Sequence, residues 1–175
     1  EAQIAPIAER GGAALLTLDA DEAGSLRDGA MKQDADFTAV PRGSEDLAAI
    51  LYTSGTTGRS KGAKLCHRNL LSNAEVLRDY WRFTADDVLL HMLPIYHTHG
   101  LFVASNLLAM VGGSMVFLPK FSTDAALAWM PKATSMMGVP TFYTRLLDSD
   151  GFTSELTAHM RLCLLYTSPS PRDTE

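Results

Sequence analysis

The stretch "YTSGTTGRSKG", residues 52–62, combines Gly55, Gly58 and Gly62 with the hydroxyls of Thr53, Ser54, Thr56 and Thr57 and the cation of Lys61. Glycine permits backbone conformations that a Cβ forbids, so successive N–H groups in such a loop converge on one anion. The hydroxyls add donors, and an ammonium is a point charge suited to phosphate. These residues fit a polyphosphate. The Walker A pattern fails here, because Ser60 precedes the lysine and Gly62 follows it. A plain flexible turn would need neither the lysine nor the hydroxyls.

A second group of residues lies further on. "LPIYHTHGL", residues 93–101, carries His97 and His99 shortly after His91. In an extended chain His97 and His99 would share a face, yet their interval fits no usual zinc spacing and no carboxylate or thiol lies nearby. Metal ligation by these histidines is therefore not expected. Taken alone, His97 reads as a hydrogen-bonded core histidine. Arg145 interrupts the apolar helical turn "TFYTRLL" and leaves two readings open: a planar guanidinium clamping a free carboxylate, or an exposed arginine with its stem along apolar surface. The pairs Asp86/Asp87 and Asp148/Asp150 read as solvated loop carboxylates rather than an acid and base, and His67 and His159 as residues flanking helices at the surface. Tyr80, Trp81 and Phe83 read as the packed end of a helix.

The elements that must position these groups alternate in type. Residues 13–18, "AALLTL", predict a strand, 21–31 a helix, and 32–46, with Pro41 and Gly43, a linker. "LAAILYT" at 47–53 predicts a buried strand running into the glycine-rich loop. Leu70, Leu71, Ala74, Leu77 and Trp81 then recur at helical spacing. Strands follow at 87–93, 114–118 and 135–139, with helices at 101–111, 124–130 and 141–147. Apolar strands alternating with helices imply an α/β fold, a mostly parallel sheet with helices on both faces.

Composition narrows the partners. The chain has 175 residues, 46% hydrophobic and 20% charged, as in an ordinary soluble globular protein. A net charge of −5 offers no basic stripe for nucleic acid. Cys66 and Cys163 lack any CxxC spacing, which fits a reducing compartment. Residues 92–119 carry no Asp, Glu, Lys or Arg, but Pro94, the histidines, Asn106 and the Gly112-Gly113 pair divide them into a strand end, a helix and a strand, so no membrane span is expected. The first residues show no signal peptide, and without an initiator Met the native N-terminus is expected upstream.

"YTSGTTGRSKGA" resembles the signature phosphate loop of the adenylate-forming acyl-CoA synthetase superfamily. "LPIYHTHGL" and "GVPTFYTRLL", residues 138–147, resemble the second and third family motifs, in the expected order. Their wording is most similar to malonyl-CoA synthetases. The resemblance implies part of the large N-terminal domain of an adenylate-forming enzyme. Residues 1–45 would be its preceding strand, helix and linker, 46–162 its ATP-binding portion, and 163–175 a tail that departs from the family.

Several roles follow from the resemblance. Thr53, Ser54, Gly55, Thr56, Thr57, Gly58 and Lys61 would hold the phosphates of ATP, Thr57 would face Mg2+, and Lys61 and His97 would be catalytic. His97, His99 and Arg145 would meet the acid substrate. ATP, Mg2+ and coenzyme A are the implied cofactors and co-substrates, a small carboxylic acid such as malonate or methylmalonate the partner. The expected compartment is the cytoplasm or, in a eukaryote, the mitochondrial matrix. "CLLYTSPSPRDTE" stands where a glycine and serine loop is expected, and the Tyr-Gly-x-Thr-Glu segment, ribose-binding aspartate, hinge and catalytic lysine of the family are not in this sequence. The chain by itself is therefore expected to be inactive. The alternatives are a nucleotide-binding module without catalysis and a membrane-associated protein using residues 92–119.

Overall fold

The computed structural model describes residues 3–53 and 61–165. Residues 54–60 and 166–175 lie outside the described residues, and with them most of the glycine-rich loop. The chain divides into two compact units, residues 1–41 and 42–175.

In the first unit α1 (Ala5–Arg10) and α2 (Ser25–Ala30) are short helices. The strand expected at 13–18 is not formed. Thr17 instead spends its hydrogen bonds locally: its N–H donates to Ser25 Oγ at 2.9 Å and its carbonyl accepts from Leu26 N–H at 3.0 Å. A β-ladder needs those same backbone groups, and a local turn that takes them leaves none for a neighbouring strand. Leu16 and Leu18 accordingly stay more than half exposed.

In the second unit β1 (Leu47–Thr53) pairs antiparallel with β2 (Lys61–Cys66), and Thr53 stands opposite Lys61. The strand before the loop was expected to be buried, but Leu47, Ile50 and Tyr52 are all exposed. It belongs to a two-stranded ribbon rather than to the interior of the main sheet. Helix α3 (His67–Trp81) follows directly. Its first turn is fixed by Asn69, whose Oδ1 accepts the Cys66 N–H at 2.9 Å.

The main sheet holds four strands in the order β4-β3-β5-β6, all parallel: β3 (Val88–His91), β4 (Ser114–Phe117), β5 (Ser135–Gly138) and β6 (Leu162–Leu165). Side chains alternate across it, as the pleat requires. Leu89 and Met137 enter one core with Ala104, Leu107 and Leu108, capped by Leu77 and Trp81 of α3. Leu90 and Met136 enter the other with Ala126, Met130 and Leu146. Trp81 and Phe83 pack as expected, whereas Tyr80 is 81% exposed. The stretch after β3 was expected to be one helix over 101–111. It begins earlier as a π-helical turn, His99–Ser105, and continues as α4 (Asn106–Val111). Helix α5 (Thr123–Trp129) leads to β5, then α6 (Pro140–Leu147) and α7 (Ser154–Thr157) to β6. The α/β fold with a parallel sheet covered on both faces is thus present. No described helix is long and apolar enough to cross a membrane.

Candidate active site

The central strands β3 and β5 lie side by side, but their onward connections separate. β3 continues to β4 through α4 on one face, and β5 continues to β6 through α6 on the other. Beyond the carboxyl ends of two such strands the departing chains leave a crevice, the usual ligand position in open α/β sheets. Here the departing segments are "LPIYHTHGL" and "GVPTFYTRLL". A cavity of about 380 Å3 opens among Met92, Pro94, Tyr96, Phe117, Phe121 and Phe142, with Lys120 the one charged side chain among its described lining residues. Phe121 and Phe142 stack at 4.2 Å between ring centroids, and the Arg145 guanidinium lies 5.1 Å from the Phe121 ring.

His97 is exposed and tilts against Tyr96, their rings 4.7 Å apart. Its backbone is fixed at both ends, with N–H donating to the Pro94 carbonyl at 3.2 Å and carbonyl accepting from Leu101 N–H at 3.0 Å. His99 turns inward and is half-buried. Burial, and after it the neighbouring His91, hold its imidazole below the usual histidine range, so it is neutral near pH 7. Gly100 makes the tight turn feasible, because a Cβ there would run into the Pro94 carbonyl. Arg145 stands on the solvent side of α6 with its cation over an aromatic face that borders the crevice.

His97, His99 and Arg145 are thus grouped at one end of the parallel sheet. Thr53 and Lys61 stand on the separate β1-β2 ribbon, opposite each other at its end, with Lys61 exposed. Ser54, Gly55, Thr56, Thr57 and Gly58 lie outside the described residues. Among the described residues no cluster of three or more His, Cys, Asp or Glu is placed to hold a metal ion.

One residue was misread from sequence, and another was given no role there. Asp87 was expected to be solvated but is only 3% exposed. Its carboxylate accepts two bonds from Arg161, both at 2.6 Å, one from Thr134 Oγ1 at 2.7 Å and one from the Thr84 N–H at 2.8 Å. Burial pushes its pKa up, but the bonds from Arg161, Thr84 and Thr134 outweigh it and hold the group below the ordinary carboxyl value. His91, given no role from sequence, is fully enclosed at the end of β3, beside Phe117 at 5.0 Å between rings. A histidine inside the apolar run "VLLHML" was the available signal.

The AMP-binding enzyme family matches residues 3–175. The mitochondrial malonate-CoA ligase ACSF3 of Mus musculus is 40% identical over 156 residues, covering 83% of this chain and 25% of that protein. ATP-bound MatB from Rhodopseudomonas palustris superposes with a TM-score of 0.89 at 60% identity, covering 95% of this chain and 33% of MatB. A malonyl-CoA ligase with methylmalonyl-CoA and AMP bound superposes with a TM-score of 0.66 at 37% identity, covering 73% of this chain and 29% of the ligase. The chain therefore spans about a quarter to a third of the length of these relatives.

Proposed function

The chain belongs to the AMP-binding enzyme family and is similar to malonate-CoA ligases, and on that premise we propose that it forms the phosphate-gripping and acid-binding part of an ATP-dependent acid-CoA ligase. The observation that carries the reading is the meeting of two motif segments, with His97, His99 and Arg145, at the point where the connections of β3 and β5 separate. In the proposed reaction a carboxylate oxygen attacks the α-phosphorus of ATP, an acyl-adenylate forms and pyrophosphate leaves. The thiol of coenzyme A then attacks the acyl carbon, loses its proton and displaces AMP.

The obstacle to the first step is charge, since an anion must approach a triphosphate. ATP would enter with Mg2+, held at Thr57. The donors of Thr53, Ser54, Gly55, Thr56, Thr57 and Gly58 and the cation of Lys61 would neutralise its outer phosphates. His97, exposed in side chain but fixed in backbone, would orient the reacting carboxylate, with neutral His99 behind it. Arg145 would take the second carboxylate of malonate or methylmalonate, which a monocarboxylic acid lacks. Residues 46–162 would be the ATP-binding portion, after 1–45 and before the divergent 163–175. The compartment would be the cytosol or the mitochondrial matrix. The chain alone would bind without turning over.

The test is pyrophosphate release with malonate, ATP and Mg2+ in a polypeptide extended to the length of the malonate-CoA ligases. Release with malonate is expected, slowed on the order of 100-fold in Lys61→Ala. An extended protein that releases pyrophosphate with no short acid would remove the reading and leave a nucleotide-binding module.

A further inference from the structure

His91 ends β3, the strand flanked by β4 on one side and β5 on the other, and it is 1% exposed. Its Nε2 lies 2.9 Å from the Gly100 carbonyl oxygen and 3.4 Å from Ser105 Oγ, while Ser105 Oγ itself donates to that carbonyl at 2.9 Å. A carbonyl oxygen only accepts, so a neutral His91 in this bond carries its proton on Nε2. Its Nδ1 has no hydrogen-bond partner among the described residues. An apolar side chain would fill the space without burying an unmatched nitrogen, so space-filling gives no reason for a histidine here. The bond to Gly100 does. That carbonyl belongs to the π-helical turn His99–Ser105, and π-turns depart from the ordinary i to i+4 pattern.

We propose that His91 is a positioning residue: its Nε2–H holds the Gly100 carbonyl, and through it the turn that begins at His99 just after His97, against a central strand of the sheet. Ser105 is the second donor to the same oxygen. A central strand paired on both sides moves least, so one bond from it fixes a turn that otherwise faces an open crevice. The catalytic consequence rests on the proposed ligase reading, but the geometric claim does not.

The experiment reads imidazole nitrogens by NMR in the 15N-labelled 175-residue chain. The expected result is an Nε2–H tautomer at His91, with the ring signals of His97 and His99 shifted in His91→Phe and restored toward the parent in His91→Gln, whose amide can still donate. Should His91→Phe fail to fold, Ser105→Ala removes the other donor and is expected to move the same two rings. An Nδ1–H tautomer at His91, or unchanged His97 and His99 signals in the folded variants, overturns the proposal. In the extended protein His91→Phe is expected to lower kcat for pyrophosphate release about tenfold with KM for ATP unchanged. Parent-like kcat there also overturns the positioning role, whereas an inactive extended parent overturns the ligase reading and leaves the NMR result standing.

Discussion

Arg145 shows what one side chain contributes beyond its charge. Its guanidinium lies over the Phe121 ring, and Phe121 is stacked on Phe142. An aromatic stack restricts where the planar fork can point, which reduces the ordering required when it binds a carboxylate. An exposed guanidinium over an aromatic face fits both readings left open by the sequence, and substrate kinetics separate them. Arg145→Ala is expected to raise KM for malonate roughly 10- to 100-fold in the extended ligase, the range for a charged hydrogen-bonded pair. Acetate, with no second carboxylate, should show no such rise. Equal effects on the two acids would assign Arg145 to the helix surface. This side chain was legible because a cation in an apolar turn breaks a local pattern. Asp87 was not, because its partners Thr134 and Arg161 lie 47 and 74 residues away in sequence.

Asp87 matters at the scale of elements. It immediately precedes β3, Thr134 precedes β5 and Arg161 precedes β6, so one carboxylate ties the amino ends of three parallel strands, opposite the crevice. Arg161 also donates to the Trp81 carbonyl at 2.7 Å, joining the end of α3 to the same cluster. Removing the arginine leaves a buried charge without its partner. Arg161→Ala is expected to cost about 3 kcal/mol, the low end for breaking a buried pair because the arginine side chain is itself 35% exposed. Since the folded pKa of Asp87 lies below the ordinary 3.8, its stabilisation is present above that value and is lost as the pH falls through the depressed one. Urea midpoints should therefore differ most near neutrality and converge below 3.8. A gap that persists undiminished in acid would mean that Arg161 acts through packing on the Phe83 ring, 4.6 Å away. The elements themselves were readable wherever an apolar run was bounded by turn residues, as at β3, β4 and β5. "AALLTL" shows the limit: the same composition makes no strand when its backbone groups are taken by a local turn. "KGAKLC" shows the converse, since β2 has no apolar alternation and its pairing comes from β1 across the glycine-rich loop.

At the scale of the whole molecule, the three motifs belong to two different sheets. The glycine-rich loop joins the strands of the antiparallel ribbon, while the histidine and arginine segments leave the parallel sheet. The sequence made the motifs and their order legible. It could not place them on different sheets, because strand pairing is a long-range property that local composition does not encode. A consequence for binding follows. The groups proposed to grip ATP are backbone amides, hydroxyls and one lysine, all suited to phosphate oxygens, and none of the proposed nucleotide contacts in this chain addresses adenine or ribose. The 175-residue chain is accordingly expected to bind Mg2+-tripolyphosphate within about threefold of Mg2+-ATP, a difference well under 1 kcal/mol. Lys61→Ala should weaken both ligands in parallel, and adenosine should compete with neither. Calorimetric titration separates the outcomes. If ATP binds much more tightly than tripolyphosphate and adenosine displaces it, this chain already holds the nucleoside, and the phosphate loop cannot be the whole of its nucleotide site.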